Sequence, residues 1–312
     1  MRIGIAGAGA VGCHYGSLLQ QAGLHVVYLA RGEHLAALKA NGLTHITEGK
    51  TVQLNVQASD DISILTHCDV VLLTCKTTVL DSLCLQITPV INAETVFITM
   101  QNGVTAPDQV AHHFAKSPLL AASAFIGVCV EKPGVIIHSA AGHIRLGYWQ
   151  NGEQENGEKA AFVLNTLLDK LVAAWRKSGV DAQKVADMKS MLWHKMLWNC
   201  GFNAITALTR RYAKDVVMDD DSVRWVRAAM QEAIEVAKIT GVLLPDDAIQ
   251  QHLNLTMKAG PVQTSMWQDI SRGRPTEIDV MNGFIALKAK DFGLEAPVND
   301  MLTSLIKMTE KH

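Results

Sequence analysis

Six residues near the start of the chain form a glycine pattern that can bind phosphate groups. The apolar run 3–6 leads directly into Gly7-Ala8-Gly9-Ala10-Val11-Gly12, which precedes a helical segment (13–22) and a second apolar run (25–29). In this unit the first glycine permits a tight turn, the second lets backbone approach a pyrophosphate, and the third lets the helix pack closely. The pyrophosphate lies among unpaired N–H groups at the helix N-terminus. The flanking elements predict dinucleotide binding rather than a plain glycine-rich turn.

The residues after the second predicted strand indicate which dinucleotide is bound. An NAD site usually has Asp or Glu here, about 20 residues beyond the glycines, to hold the ribose 2′-hydroxyl. In this chain the strand ends at Leu29-Ala30-Arg31-Gly32. Because the Arg31 guanidinium matches phosphate geometry, we expect it to bind a 2′-phosphate and the cofactor to be NADP(H). Glu33 as a displaced ribose ligand, and Arg31 as an ordinary solvated charge, are the alternatives.

Two more polar residues follow predicted buried strands. Lys76 lies just beyond the apolar run 70–74, and Asn102 follows the run 96–100 and precedes Gly103. Ligands of open parallel sheets bind outside the carboxyl ends of the strands. We therefore predict a cofactor contact for Lys76 and a cofactor or substrate contact for Asn102. An unremarkable surface lysine and a turn-forming asparagine are the alternatives.

Three polar side chains recur every fourth residue in a segment that is otherwise apolar on nearly all sides. Lys195, Asn199 and Asn203 share one face of the helix predicted over 188–208. Asparagine is a weak helix former, and a solvated stripe would normally use Glu, Lys and Gln. The pattern favours a polar stripe facing a cleft over a narrow exposed stripe of an amphipathic helix.

A second polar cluster follows about sixty residues later. Ser265 opens it, and Glu277 lies near its end, just after Pro275-Thr276. Pro275 and Thr276 suit a helix start, where Glu277 in the first turn would complement the helix dipole. That structural role would by itself explain Glu277, so catalytic and structural interpretations both stay open at this point.

The order of the predicted elements divides the chain into two domains. Strands alternate with helices as far as residue 185, with the segments 135–138 and 143–148 as an antiparallel addition to the sheet edge and a polar loop at 151–158. From residue 187 onward long helices dominate. We predict an α/β fold with an N-terminal Rossmann dinucleotide-binding domain (1–185) and an all-α substrate-binding and catalytic domain (186–312).

Composition excludes several classes of function. The 28 basic and 30 acidic residues give a net charge of −2, and no basic run points to nucleic acid or an anionic membrane surface. No apolar run reaches the length of a membrane span, and no signal peptide is recognisable. The 6 cysteines are scattered without a C-x-x-C pair, which indicates free thiols and no metal site. We expect a cytoplasmic protein.

These residues together resemble the ketopantoate reductases (2-dehydropantoate 2-reductases) along essentially the whole chain. The resemblance rests on the following segments: Gly7 to Gly12, Lys76, Asn102-Gly103, Trp193-His194-Lys195, Asn199-Cys200, Asn203, Ser265-Met266, Thr276-Glu277-Ile278-Asp279 and Asn282-Gly283. It implies a Rossmann domain, a helical domain of the 6-phosphogluconate dehydrogenase type, and an active site in the cleft between them. It also implies reduction of 2-dehydropantoate to (R)-pantoate by NADPH, on the route to pantothenate and coenzyme A.

The resemblance assigns a role to each candidate residue. Lys195 becomes the general acid, and Glu277 becomes its partner near the cofactor ribose and the substrate. The remaining assignments are substrate contacts from Asn199, Asn203 and Ser265, a contact near the nicotinamide from Asn102, and the 2′-phosphate shared by Arg31 and Lys76. A protonated Lys195 would stabilise the charge that hydride addition leaves on a ketone oxygen. Burial should lower the pKa of this lysine, while Glu277 should oppose the shift.

One departure from the family and two alternative functions complete the expectations. The family often has a further substrate-binding asparagine after the Lys195 helix, where this chain has Thr209-Arg210-Arg211-Tyr212-Ala213. The first alternative is a reductase of another 2-oxo acid or ketone with the same mechanism. The second is a non-catalytic NADP(H)-binding regulatory protein, against which the lysine–asparagine stripe argues. A helical C-terminal domain offers surface for a homodimer without requiring one.

Overall fold

The structure is a computed structural model that describes residues 1–149, 158–261 and 263–311, with the backbone alone over 158–163. It contains two compact units. The first comprises Met1–Gln101 and Thr105–Met188, and the second comprises Asn102–Val104 and Lys189–His312. The predicted boundary between residues 185 and 186 stays a prediction, and the predicted loop at 151–158 lies almost entirely outside the described residues.

The first unit alternates strands and helices. Its elements in chain order are β1 (Arg2–Ala6), α1 (Ala10–Gln21), β2 (His25–Leu29), α2 (Gly32–Asn41), β3 (Leu43–Thr47), β4 (Lys50–Leu54), β5 (Gln57–Ser59), β6 (Val70–Leu73), α3 (Leu80–Ile87), β7 (Val96–Thr99), α4 (Ala106–His113), β8 (Leu119–Lys132), β9 (Val135–Tyr148), α5 (Glu158–Lys177) and β10 (Ala182–Lys184). Short 3-10 turns cover Ile62–Leu65, Thr77–Val79 and Thr88–Val90.

The strands of this unit form one mixed sheet in the order β4-β3-β9-β8-β7-β6-β1-β2-β5, with β10 beside β9. All neighbouring strands from β8 to β5 run parallel. Parallel strands buried on both faces are apolar throughout, and β6 and β7 are buried at every position. The carboxyl ends of β6, β1 and β2 therefore lie side by side.

The segments 135–138 and 143–148, expected as an antiparallel addition at the sheet edge, are parts of one strand, β9, and β9 is not an edge strand. β9 pairs antiparallel with β8, while its other side pairs with β3, which carries β4 beyond it. The sequence prediction missed β3 because its middle residue, His45, is polar yet only 3% exposed. The turn to β4 uses Glu48 and Gly49, whose φ angles of 49° and 75° suit a two-residue hairpin turn.

Close helix–sheet packing positions the start of α1. A Cβ added at Gly12 would lie 2.7 Å from Ile5 Cγ2, and one at Gly16 would lie 2.9 Å from both Ile5 and Tyr28. Helix α5 packs against the same helix, with the Trp175 indole donating to the Tyr15 carbonyl at 3.1 Å. These contacts fix the glycine-rich turn between β1 and α1 relative to the sheet.

The second unit is helical in its described residues. Its elements are α6 (Met188–Thr209), α7 (Ala213–Val217), α8 (Asp220–Ile239), α9 (Ala248–Lys258), α10 (Ser265–Ser271), a 3-10 turn (Ile278–Val280), α11 (Asn282–Asp291) and α12 (Pro297–Thr309). Helix α6 packs closely on α8, since a Cβ at Gly201 would lie 3.0 Å from Val226. An α/β N-terminal domain followed by a mostly helical C-terminal domain confirms the predicted fold class. Among the described helices, none combines the length and the apolar character that a membrane span requires.

Candidate active site

The three glycines of the β1–α1 turn have different surroundings. Gly7 has φ +102°, and an added Cβ would lie 2.6 Å from the backbone nitrogen of Cys75. Gly12 is packed against Ile5 and the Thr74 hydroxyl. A Cβ at Gly9 would meet nothing within 4 Å. Gly7 and Gly12 are therefore required by the packing of the protein itself, whereas Gly9 leaves open space in front of the helix.

The N-terminus of α1 offers unpaired N–H groups beside that space. Gly9 occupies the N-cap position without a side-chain cap, and the first turn holds no acidic residue. Ala10 and Val11 are partly exposed. The first N–H groups of a helix have no intrahelical acceptor, and the helix dipole makes this end positive. The arrangement fits an anionic group such as a pyrophosphate.

Arg31 and Lys76 flank this turn from the two neighbouring strands. Arg31 follows β2, is exposed, and is the N-cap residue of α2. Lys76 follows β6, is half-buried, and immediately precedes the 3-10 turn at Thr77–Val79. Glu33 is exposed in the first turn of α2, where its charge complements the helix dipole. That position gives Glu33 a structural reason to be present.

The polar stripe of α6 is enclosed rather than solvated. Asn199 and Asn203 are only 4% and 1% exposed, and Lys195 is half-buried. Trp193, on the same helix, is 4% exposed. The alternative of a narrow exposed stripe is therefore wrong for the two asparagines. Burying two amides on a helix requires partners for their polar atoms.

Each of these two amides has a polar atom without a hydrogen-bond partner among the described residues. Asn203 Nδ2 donates to Asn199 Oδ1 at 3.3 Å and lies 3.2 Å from Met281 Sδ. Asn199 Nδ2 and Asn203 Oδ1 are buried and unsatisfied. Each such atom costs about 1–3 kcal/mol. The stripe thus contains one donor and one acceptor that no described residue satisfies.

Lys195 lies within the electrostatic reach of Glu277. Burial lowers the pKa of Lys195 from 10.5 to about 8, and the Glu277 carboxylate acts in the opposite direction. Both effects agree with the expectation from the sequence. Asn102 Nδ2 donates to Glu277 Oε2 at 3.0 Å, although 175 positions separate the two residues. The second unit therefore brings Lys195, Glu277 and Asn102 into one interacting group.

The close approach of residues 102–104 to the rest of the second unit depends on a glycine. Gly103 has φ +87°, and a Cβ there would lie 2.7 Å from the Val280 carbonyl oxygen. Any other residue would push Asn102 away from the turn that carries Glu277. The Asn102-Gly103 pair is thus more than a simple turn former.

The predicted helix start at Pro275–Glu277 is wrong. Helix α11 begins at Asn282, and Glu277 directly precedes the 3-10 turn Ile278–Val280. The segment is held differently, because Thr276 Oγ1 accepts from the Ile278 N–H at 3.2 Å and Glu310 accepts from the Thr276 N–H at 2.7 Å. Glu277 therefore does not lie in the first turn of an α-helix, and a helix dipole does not explain its presence.

Ser265 lies at the start of α10, next to a residue that contacts α6. It is the exposed first residue of α10. Its neighbour Thr264 caps α10 by accepting from the Trp267 N–H at 3.3 Å and shares a 2.8 Å hydrogen bond with Thr206 of α6. Ser265 is thereby placed beside the C-terminal half of α6, beyond Asn203.

Sequence reasoning missed residues whose roles depend on tertiary contacts. Met281 meets the Asn203 amide, although nothing in its sequence context marks it. Gln101 is buried and donates to the Leu73 and Cys75 carbonyls at 2.9 and 3.2 Å, joining the ends of β7 and β6. A polar residue directly after a continuous apolar run was the available signal for Gln101.

Comparison with known proteins matches both parts of the chain to one family. The family model described as "Ketopantoate reductase PanE/ApbA" matches residues 3–151, and "Ketopantoate reductase PanE/ApbA C terminal" matches residues 187–310. A 2-dehydropantoate 2-reductase of Nostoc sp. is 26% identical over 308 residues, covering 98% of this chain and 94% of the relative. One from Mesorhizobium japonicum is 29% identical over 328 residues, covering 98% and 97%.

Solved structures show the same architecture over the full length. The PanE/ApbA family ketopantoate reductase of Ralstonia eutropha JMP134 has a TM-score of 0.87 and 29% identity, covering 100% of this chain and 99% of that one. D-mandelate dehydrogenase in a ternary structure with NADH and anilino(oxo)acetate has a TM-score of 0.88, with 24% identity and coverage of 100% and 99%. The second likeness concerns the fold alone.

Proposed function

Because the chain belongs to the ketopantoate reductase family, and is thus an oxidoreductase, we propose that it reduces 2-dehydropantoate to (R)-pantoate with NADPH, in pantothenate and coenzyme A biosynthesis. The observation that carries this proposal is the buried stripe of α6. There a lysine with a pKa of about 8 lies on the same helix face as two amides that leave one donor and one acceptor unsatisfied. Family membership argues against a purely regulatory role.

Lys195 supplies the proton of this reaction. Adding a hydride to the carbonyl carbon moves an electron pair onto the oxygen, which must be neutralised as it forms. A pKa of about 8 keeps Lys195 mostly protonated at neutral pH while leaving its proton easier to release than that of an exposed lysine. Glu277 favours the charged form, and the Asn102 amide orients the Glu277 carboxylate.

The two asparagines bind the substrate beside the lysine. Asn199 Nδ2 can donate to a carbonyl or carboxylate oxygen, and Asn203 Oδ1 can accept from a hydroxyl group. 2-Dehydropantoate carries all three groups, so it would satisfy both buried atoms. Ser265, exposed at the start of α10, is proposed as a further substrate contact.

The glycine-rich turn is proposed to hold the dinucleotide. Residues Gly7 to Gly12 would take the pyrophosphate at the N-terminus of α1, and Arg31 with Lys76 would bind the 2′-phosphate from the neighbouring strand ends. NADPH supplies the hydride when it is bound. Glu33 already serves the dipole of α2, which supports Arg31 rather than Glu33 as the residue that selects the dinucleotide. The cytoplasmic location and the homodimer stay predictions.

A matched pair of substrates tests the proposal. We would follow NADPH oxidation with 2-dehydropantoate and with 3,3-dimethyl-2-oxobutanoate, which lacks only the hydroxyl group, and repeat both with NADH. A site built to bind a hydroxyl leaves its acceptor unpaired with the second substrate. We expect kcat/KM to favour 2-dehydropantoate at least about a hundredfold. Equal values would contradict the assignment of Asn203 Oδ1, and no oxidation of NADPH would remove 2-dehydropantoate as the substrate.

A second candidate function is reduction of a different 2-oxo acid by the same residues. The observation that favours it is the end of α6, where Thr209–Ala213 lacks the asparagine often found in the family. There Tyr212 lies against Trp267 with ring centroids 5.4 Å apart. An aromatic pair suits a larger apolar substituent better than a polar one. A panel of 2-oxo acids with alkyl and aryl groups would identify such a substrate by its higher kcat/KM.

A further inference from the structure

A chain of three side chains in the second unit links α6, the helix that carries Lys195, to α11, α12 and α8. Asn282, the first residue of α11, donates through Nδ2 to the Cys200 carbonyl of α6 at 3.0 Å and to Asn299 Oδ1 at 2.9 Å. Asn299 donates to the Ala229 carbonyl at 3.0 Å and to the Glu232 carboxylate at 2.6 Å. Both asparagines have 0% exposure.

The orientation of each amide in this chain follows from its acceptors. The nitrogen of Asn299 must face the Ala229 carbonyl and the Glu232 carboxylate, since both can only accept. The oxygen of Asn299 is thereby turned toward Asn282. Asn282 must then present its nitrogen, which also suits the Cys200 carbonyl. The Ala229 carbonyl and the Glu232 carboxylate, both of α8, therefore together determine the direction of the chain of amides.

The Glu232 carboxylate also anchors the start of α12. It accepts from the backbone N–H groups of Val298 and Asn299, both at 2.9 Å. An acidic group at a helix N-terminus pairs with N–H groups that have no intrahelical acceptor. The same carboxylate thus fixes Asn299 through both its backbone and its side chain.

Contacts of Asn282 and Met281 hold the segment that carries Glu277 against α6 at two adjacent points. Asn282 holds the carbonyl of Cys200, the residue after Asn199, and the preceding residue, Met281, meets the Asn203 amide at 3.2 Å. Five positions separate Glu277 from Asn282, and the 3-10 turn Ile278–Val280 fills most of that interval. A shift at Asn282 is therefore passed to Glu277 through a short, hydrogen-bonded turn.

We propose that Asn282 is a positioning residue for the reaction, which sets the separation of Glu277 and Lys195 and is itself oriented by Asn299 and Glu232. The predicted effect of Asn282 on turnover rests on the proposed function. The predicted effect of Asn282 on the pKa of Lys195 does not, because the proton affinity of Lys195 responds to Glu277 whether or not a substrate is turned over.

Three variants separate positioning from simple stabilisation. Asn282→Leu keeps the side-chain size and removes both donated hydrogen bonds. Glu232→Gln keeps the shape of the distant side chain but replaces the charged acceptor of the Asn299 amide with a neutral one. Thr303→Val is the matched control, since this buried hydroxyl donates to the Asn299 backbone carbonyl at 2.7 Å and has no part in the amide chain.

The measurement is the proton affinity of Lys195 in the full-length protein. Trace acetylation with acetic anhydride across a pH series, read by mass spectrometry of the Lys195 peptide, gives its pKa without any substrate. We expect the pKa of Lys195 to fall by about one unit in Asn282→Leu, which is the change for two unit charges that move from about 4 to about 6 Å apart at an effective dielectric constant of about 20. Glu232→Gln should give a smaller fall, and Thr303→Val none.

Turnover gives the second measurement. With the substrate proposed above, kcat of Asn282→Leu should fall at least about tenfold. The loss of kcat at alkaline pH should begin at a lower pH, and the KM for NADPH should be unchanged. An unchanged Lys195 pKa in both Asn282→Leu and Glu232→Gln would overturn the proposal. If Asn282→Leu fails to fold, an unchanged pKa in Glu232→Gln alone would overturn it. If the unmodified protein reduces no 2-oxo acid, the proposed function fails, and acetylation still decides the role of Asn282.

Discussion

Replacing Lys195 by methionine should lower turnover and raise stability at the same time. The substitution keeps the length of the side chain and removes its charge. Burial lowers the pKa of Lys195 from 10.5 to about 8, a change of about 2.5 units. At about 1.4 kcal/mol per unit, the charged lysine costs the folded protein about 3 kcal/mol at neutral pH. Removing it should raise the free energy of unfolding by up to that amount.

The pH dependence of this gain has a definite sign. Between about pH 8 and 10.5 the unfolded chain keeps the lysine proton while the folded protein releases it, so the stability of the unmodified protein rises with pH in this window. The penalty is complete below pH 8 and absent above 10.5. The stability difference between Lys195→Met and the unmodified protein should therefore be largest below pH 8 and shrink toward pH 10.5.

Turnover should change in the opposite direction. General acids contribute about 10²–10⁴ to the rate, so kcat should fall at least a hundredfold while NADPH binding persists. The assays are thermal unfolding across the pH series, NADPH oxidation with 2-dehydropantoate, and NADPH titration. Lys189→Met is the control, because Lys189 lies exposed on the first turn of the same helix and should change neither quantity appreciably. Near-normal turnover in Lys195→Met would refute the general-acid role, and an unchanged or lower unfolding temperature would refute the burial argument.

Three further predictions concern the first unit. Arg31→Ala should raise the KM for NADPH at least about tenfold more than that for NADH, because one bidentate phosphate contact is lost; equal losses would count against a 2′-phosphate site. Gly9→Ala should fold normally yet weaken binding of the dinucleotide, measured by fluorescence titration, whereas Gly12→Ala should lower the unfolding temperature because its Cβ meets Ile5 at 2.7 Å. Burial, and to a smaller extent the charge of His138, lowers the pKa of His45 from 6.5 to about 4. Keeping His45 neutral therefore contributes about 3 kcal/mol to the stability of the folded protein. This contribution is complete above pH 6.5 and is lost as the pH falls to about 4. Urea unfolding at pH 7 and pH 4 should show a smaller acid loss for His45→Gln than for the unmodified protein, and an equal loss would place the acid sensitivity elsewhere.

Local conformational requirements made the glycine-rich turn readable from the sequence. Gly7 needs a positive φ, and Gly12 needs room beside Ile5, so only glycine suits either position. The same is true of the buried parallel strands, whose continuous apolar runs reflect burial on both faces. The α6 stripe was readable because a period of four residues places Lys195, Asn199 and Asn203 on one face of any helix.

The partners of these residues depended on contacts between distant parts of the chain. Asn102 follows a strand of the first unit, yet it belongs to the second unit and binds Glu277 across 175 positions. The helix expected at Pro275–Glu277 failed for a related reason, since Glu310 at the far end of α12 accepts the Thr276 N–H and holds the segment outside the helix. Local propensity contains no information about such an acceptor.

The sequence by itself thus determined the two-domain fold class, the glycine-rich turn and the polar face of α6, because each follows from conformations and periodicities within about twenty residues. Only the tertiary structure decided that the asparagines of that face are buried with one unsatisfied donor and one unsatisfied acceptor, and that Lys195 has a pKa of about 8. Burial and electrostatic coupling arise from all the elements that pack around a group. For that reason they became visible only once α6, α8, α11 and α12 were assembled.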